Sequence, residues 1–186
     1  MKKILLLCLF LLCFAAAAFG VQVNDVTVEP TARVGKELLH LNGYGVRKKY
    51  FIPIYVGSFY TAGSVTSTEQ ALRFPGAKLI RMQFVYPRAD YINVLGHFAD
   101  DFANNKPSLS GSPEEKAFMS WFKGDFLQGD VVDFAIESDG TLSAYHNAKK
   151  LGSLKSSKLA EGVLLIYLGE KPASKKLKQG LLQGHS

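Results

Sequence analysis

The chain has 186 residues, 47% of them hydrophobic, with 22 Lys and Arg against 16 Asp and Glu and a net charge of +6. That excess is mild and falls well short of a nucleic-acid binder's footprint, and the many lysines late in the chain, from Lys149 to Lys178, read as a solvated face. The length fits one domain able to bury its own core without metals or cross-links.

The chain opens with Met1-Lys2-Lys3, an apolar run from Ile4 to Phe14, and then Ala15 to Ala18, Phe19 and Gly20. A basic start, an apolar stretch too short to span a bilayer and a small-x-small triplet at Ala18-Phe19-Gly20 make residues 1–20 a secretory signal peptide, cut near Val21. The expectation is therefore a periplasmic domain over 21–186 with no stable membrane anchor after cleavage. Cys8 and Cys13 leave with the signal, which removes disulfides, thiolate metal sites and a cysteine nucleophile. Lys2 and Lys3 leave too, so twenty basic residues face sixteen acidic ones, a net of +4.

From Val23 to Arg47, punctuation at Pro30, Gly35, Gly43 and Gly45 predicts two strands and their turns. Lys49 to Tyr60 is the strongest strand, with Ile52, Ile54, Val56 and Tyr60 on one face and Phe51, Tyr55 and Phe59 on the other; Pro53 within it calls for an edge or a bulge. Thr66 to Phe74 reads as a short helix capped by Ser67, and Lys78 to Tyr86 as a strand with one fully apolar face. Tyr91, Val94, Leu95, Phe98 and Phe102 form a helical stripe, with Asn93, His97, Asp100, Asp101 and Asn104 on the opposite, solvated face. Ser112-Pro113-Glu114-Glu115 is a capping box, in which the serine hydroxyl and the Glu115 carboxylate satisfy each other's orphan amides. Val131–Glu137 and Thr141–His146 predict a hairpin around Ser138-Asp139-Gly140. Asn147 to Gly152 then predicts a turn into a strand ending near Leu154. A helix capped near Ser157 runs to Leu168 with Gly169 as its C′ residue; a last one from Ser174 buries Leu177, Leu181 and Leu182. Strands and helices are segregated, which favours an α+β domain with a largely antiparallel sheet.

No phosphate loop, dinucleotide fingerprint, nucleophile elbow or helical zinc motif occurs, so no cofactor is expected. His97 near Asp100 and Asp101 reads as a polar helix face, and Glu114-Glu115 is absorbed by the capping box. Residues of mixed character on apolar elements remain: Arg47, Tyr50, Tyr55 and Tyr91. An arginine can meet a carboxylate through two parallel hydrogen bonds. Taken alone, however, Arg47 reads as a strand-end surface charge, and Tyr55 and Tyr91 read as packing tyrosines.

Asn42-Gly43-Tyr44-Gly45-Val46-Arg47 followed by Tyr50-Phe51-Ile52-Pro53-Ile54-Tyr55-Val56-Gly57-Ser58-Phe59-Tyr60 resembles the opening hairpin of the chalcone isomerase fold, in particular its bacterial exported branch. Lys78-Leu79-Ile80-Arg81, the Tyr91 helix, the Asn147 turn and Leu164 to Pro172 continue the likeness in order, over about Val23 to Gln183. The resemblance implies an antiparallel sheet with helices packed on one face, an open-faced sandwich, and a ligand between the two layers.

In the family's isomerases a strand arginine acts with a threonine, a tyrosine and an asparagine, the guanidinium stabilising the developing anion. Arg47 and Tyr91 would be the arginine and the tyrosine. Tyr55 stands in the threonine's place and Phe98 in the asparagine's, with Asn93 or His97 as possible substitutes for the latter. A phenyl ring donates no hydrogen bond. Fatty-acid-binding members keep the arginine and pair it with a strand tyrosine, which Arg47 and Tyr55 resemble. The expected ligand is thus a small apolar acid, its carboxylate on Arg47 and Tyr55 near Tyr91 and its chain over Phe51, Phe59, Phe84 and Phe98. Two alternatives stand beside this binder. One is an intramolecular lyase that needs Arg47 and Tyr91; the other is an envelope interaction protein without a small ligand. The oligomeric state stays open.

Overall fold

A computed structural model describes residues 20–184. The expected signal peptide lies outside the described residues except for Gly20. The N-terminal stretch holds four strands where two are expected: β1 (Val21–Val23), β2 (Val26–Val28), β3 (Thr31–Val34) and β4 (Glu37–Lys49). The extra hairpin turns on Asn24 and Asp25, whose φ values of 47° and 62° lie in the left-handed region that Asn and Asp tolerate.

β5 (Ile52–Thr61) follows, then α1 (Thr68–Arg73), β6 (Lys78–Phe84) and the short β7 (Arg88–Ala89). The Ser67 hydroxyl accepts from the Gln70 amide at the start of α1, as expected of a cap. Next come α2 (Tyr91–Asn105), a 3-10 turn at Pro107–Leu109, α3 (Pro113–Ser120) and the two-residue β8 (Phe126–Leu127). Ser112 caps α3 by accepting from the Glu115 amide at 3.2 Å, but the Glu115 carboxylate reaches the Gly111 amide and not that of Ser112. The box is closed one residue early because the Ser112 amide already donates to the Leu109 carbonyl at 3.0 Å, which leaves the Gly111 amide to the carboxylate.

The rest is β9 (Val131–Ile136), β10 (Thr141–His146), β11 (Lys149–Lys155), α4 (Ser157–Leu168) and α5 (Lys175–Leu181). Only Asn147 and Ala148 form the β10–β11 turn, both at positive φ, so Lys149 to Gly152 belong to the strand. Ser156, not Ser157, caps α4. Gly169 ends that helix at φ −66°, outside the left-handed region expected of a C′ glycine. What needs glycine there is space, because a Cβ would stand 2.4 Å from the Asn105 side-chain oxygen.

Seven strands form one antiparallel sheet in the order β11-β10-β9-β6-β5-β4-β3. The helices cover one face. Ile80, Met82, Phe84, Phe134 and Phe59 from the sheet pack there with Phe98, Phe102, Phe118, Leu159 and Tyr167 into the main core. The other face carries a smaller cluster around Tyr60, Leu39 and Leu79. There Arg81 pairs bidentately with Asp133 across β6 and β9, at 2.8 and 2.7 Å.

Two bulges shape the β4–β5 hairpin. Leu41 pairs with Tyr60 and Gly43 with Phe59, which leaves Asn42 as the extra residue on β4. Its buried side chain binds the Val65 amide and carbonyl and the Leu181 carbonyl, each at 2.8 Å, fastening the end of α5 to the sheet. The alternating glycines after it leave room for that helix: a Cβ on Gly43 would lie 2.2 Å from the Gly180 carbonyl oxygen. The second bulge makes Ile54 the extra residue on β5, between Arg47↔Tyr55 and Lys48↔Pro53. This accounts for proline inside a central strand. It also breaks the expected two-sided alternation, since an inserted residue flips the facing of everything beyond it.

Candidate functional site

At the bulged end of the hairpin a cavity of about 540 Å³ opens between the sheet and α2, within the range of small-ligand sites. The sheet supplies Arg47, Tyr55, Met82 and Phe84; the bulge adds Ile52 and Ile54; and Pro172 and Ala173, between α4 and α5, close one side. From α2 come Val94, His97, Phe98 and Asp101, which stand at i, i+3, i+4 and i+7, together with Asn93 and Asp100. The walls are apolar in depth and polar toward the opening, where Asn93, His97 and Asp100 are exposed.

Arg47 and Tyr55 are direct partners across the β4–β5 ladder, and Tyr55 is in turn the partner of Phe84 on β6. Three side chains thus form one row on the helix-covered face. Tyr55 packs against Phe84 at a centroid distance of 5.6 Å, and Phe84 stacks on Phe126 at 4.9 Å. Burial pushes the Tyr55 phenol well above its ordinary range, Arg47 opposing and Asp101 adding to the shift, so the hydroxyl stays protonated and able to donate. Arg47 is half-buried and donates to the Lys48 carbonyl; among the described residues no carboxylate forms an ion pair with it.

Asp101 corrects one expectation. Instead of lying on a solvated face it is half-buried in the cavity wall, and its carboxyl is raised to about 6 by burial, with Arg47 lowering and Asp100 raising it. The sequence signal was its spacing of three residues from Phe98, which puts both on one flank of α2.

Of the seven predicted ligand residues, Arg47, Tyr55, Phe84 and Phe98 come together around the cavity. Phe98 also touches Phe118, Phe122 and Phe134 at 5.9 to 6.3 Å between centroids. The other three fall elsewhere. Phe51 sits in the β4–β5 turn and is 93% exposed, because the hairpin turns there and does not continue as strand. Phe59 is wholly buried in the core deeper along β5. Tyr91, at the start of α2, is held at its backbone amide by Asp125 and stands outside the cavity lining. Asn93 and His97, the possible substitutes for an asparagine, both reach the cavity.

The curled antiparallel sheet with helices on one face and a cavity between the layers defines a chalcone isomerase-like domain. A family profile described as chalcone isomerase-like matches residues 20–183, and the chain belongs to that family. It is similar to fatty-acid-binding protein 1 of Arabidopsis thaliana, 27% identical over 108 residues that make up 55% of this chain and 39% of that protein's own length. The fold matches the crystal structure of a fatty-acid binding protein of Arabidopsis thaliana with a TM-score of 0.69 and 21% identity, over 86% of this chain and 93% of the other.

Proposed function

We propose that the chain is an exported, non-catalytic binder of a fatty acid or similar apolar carboxylate, working in the periplasm. The single observation that carries this reading is the ladder pair Arg47 and Tyr55 at the head of a cavity whose walls include Phe84 and Phe98. A guanidinium that forms no ion pair among the described residues, with only the Asp101 carboxyl coupled to it across the cavity, and a phenol that stays protonated together offer charge-assisted hydrogen bonds to a carboxylate. Phe84, Phe98, Met82 and Val94 offer the acyl chain an apolar wall. The names of the plant relatives support the same ligand class.

The isomerase alternative asks for a hydrogen-bonding side chain at position 98 and for Tyr91 beside Arg47. Phe98 in the wall and Tyr91 outside it weigh against that reading. The test is native mass spectrometry of protein recovered from its own compartment, beside an Arg47→Ala variant. An apolar acid present in the native protein and missing from the variant supports the proposal. Two empty preparations that also refuse added fatty acids would sink it.

A further inference from the structure

Six of the eight large hydrophobic side chains exposed among the described residues gather at one end of the molecule. Tyr50, Phe51 and Ile52 form the tip of the β4–β5 hairpin, Tyr86 follows β6, Ile92 lies in the first turn of α2 and Leu127 in β8. Tyr50, Ile52 and Tyr86 also line the cavity, and Leu127 pairs with Arg88, another lining residue. The apolar surface therefore rings the cavity's mouth. Single exposed hydrophobics are ordinary, but a cluster of this kind marks an interaction surface.

The hairpin tip sharpens the point. Tyr50 sits at φ 55° and is 87% exposed, next to Phe51 at 93%. Gly, Asn or Asp would take that turn more easily, and a bulky residue there costs roughly 1 kcal/mol of backbone strain. Neither ring recovers that cost by packing. Lys48 and Lys49 precede them, both exposed and neither in an ion pair among the described residues. Of the carboxylates around the mouth, Asp90 caps α2 and Asp125 pairs with Arg88, while Asp100 and Asp101 stand on α2 across the opening from the hairpin tip. Exposed aromatic rings beside free ammonium groups match the headgroup layer of a bilayer, where amphipathic rings settle and lysines meet anionic lipid. A protein partner fits less well, since lysine is depleted from the apolar centre of protein interfaces.

We infer that this end of the molecule docks on an anionic lipid surface, with Tyr50 and Phe51 entering the headgroup layer and the cavity mouth facing the membrane. Docking stands on the surface chemistry alone; its use, to pass an acyl chain between bilayer and cavity, rests on the fatty-acid reading.

The experiment is co-sedimentation of the chain from Val21 onward, so that the apolar leader takes no part, with vesicles of phosphatidylcholine alone and of phosphatidylcholine doped with phosphatidylglycerol. The chain is expected to sediment with the anionic vesicles, to be released by salt, and to lose about tenfold or more in partitioning when Lys48→Glu and Phe51→Ser are combined. Neither of these two residues lines the cavity, so the double variant keeps its affinity for a fatty acid in free solution while loading from vesicles slows. Tyr50→Gly, which relieves the turn, is expected to melt higher and bind vesicles less. No sedimentation with anionic vesicles, or equal sedimentation of the double variant, overturns the docking surface whatever the cavity binds. Vesicle binding with no uptake of acid would leave the docking surface standing and remove the fatty-acid reading instead.

Discussion

Arg47 and Tyr55 face each other across the β4–β5 ladder, immediately before the bulge that makes Ile54 the extra residue of β5. Because the bulge follows this pair, Ile52 and Ile54 turn into the same cavity, and a charged head and an apolar wall are built within nine residues of one hairpin. The phenol can be tested apart from the charge. Tyr55→Phe keeps the ring against Phe84 and removes one donor, so fatty-acid affinity should fall by about five- to tenfold with little change in melting temperature. Titration calorimetry at constant pH reads both the affinity and its enthalpy; unchanged binding would remove Tyr55 from the site.

Asp101 should give binding a pH dependence. Its carboxyl titrates near 6 beside Arg47, so above that value its negative charge opposes an incoming carboxylate, and below it the opposition fades. Affinity is therefore expected to rise on the order of tenfold as pH falls from about 7.5 to 5.5, while the ligand itself stays ionised in its own site. Asp101→Asn should bind more tightly at neutral pH and with a flat profile. A parallel slope in wild type and variant would assign the pH effect to another group.

The same group affects stability with a definite sign. Folding raises the Asp101 carboxyl from its ordinary range to about 6, so between those values the folded chain holds a proton that the unfolded chain has lost. Stability contributed by Asp101 is present at low pH and is lost as pH rises through that window. Urea melts of wild type and Asp101→Asn should diverge as pH rises from the ordinary carboxylate range to about 6 and stay a constant distance apart above it, with the variant the more stable.

Much of the architecture was legible in the order of elements. The helix stripe from Tyr91 to Phe102, the β9–β10 hairpin and the caps at Ser67 and Ser112 all follow from periodicity and capping chemistry that act within a few residues. Bulges are less visible. Pro53 announced a fault in β5, but the residue that becomes extra is Ile54, and this depends on where β4 and β6 pair. Phe51, read as a pocket residue, ended in the turn because β4 runs on to Lys49 and the chain reverses at Tyr50-Phe51 to pair Lys49 with Ile52. Asp101 was missed for a related reason: a carboxylate on a helix reads as solvated until another layer covers it, and that layer, Arg47 on β4, lies over fifty residues away in sequence.

Glycines in two settings give opposite outcomes. Gly43→Ala would drive a methyl to 2.2 Å from the Gly180 carbonyl oxygen and should cost about 1–3 kcal/mol or more by lifting α5 from the sheet. Gly96→Ala, in the middle of α2 with nothing within 4 Å of the new Cβ, should gain roughly 0.5–1 kcal/mol. Thermal melts of both variants check the pair, and a stabilising Gly43→Ala would refute the close docking of α5.

Restoring the family's asparagine should not restore chemistry. Phe98→Asn places an amide where Phe118, Phe122 and Phe134 surround the ring, and should destabilise the fold by about 2–4 kcal/mol. Chalcone cyclisation followed by absorbance is expected to stay at background in wild type and variant alike, since Tyr91 lies outside the cavity lining.

The most direct measurement is a crystal structure of the chain grown with a long-chain fatty acid. The carboxylate is expected within hydrogen-bond distance of the Arg47 guanidinium and the Tyr55 hydroxyl, with the acyl chain along Phe84 and Phe98. An acid lying in reverse, its carboxylate out in solvent and its tail toward Arg47, or an acid bound elsewhere while this cavity stays empty, would contradict it.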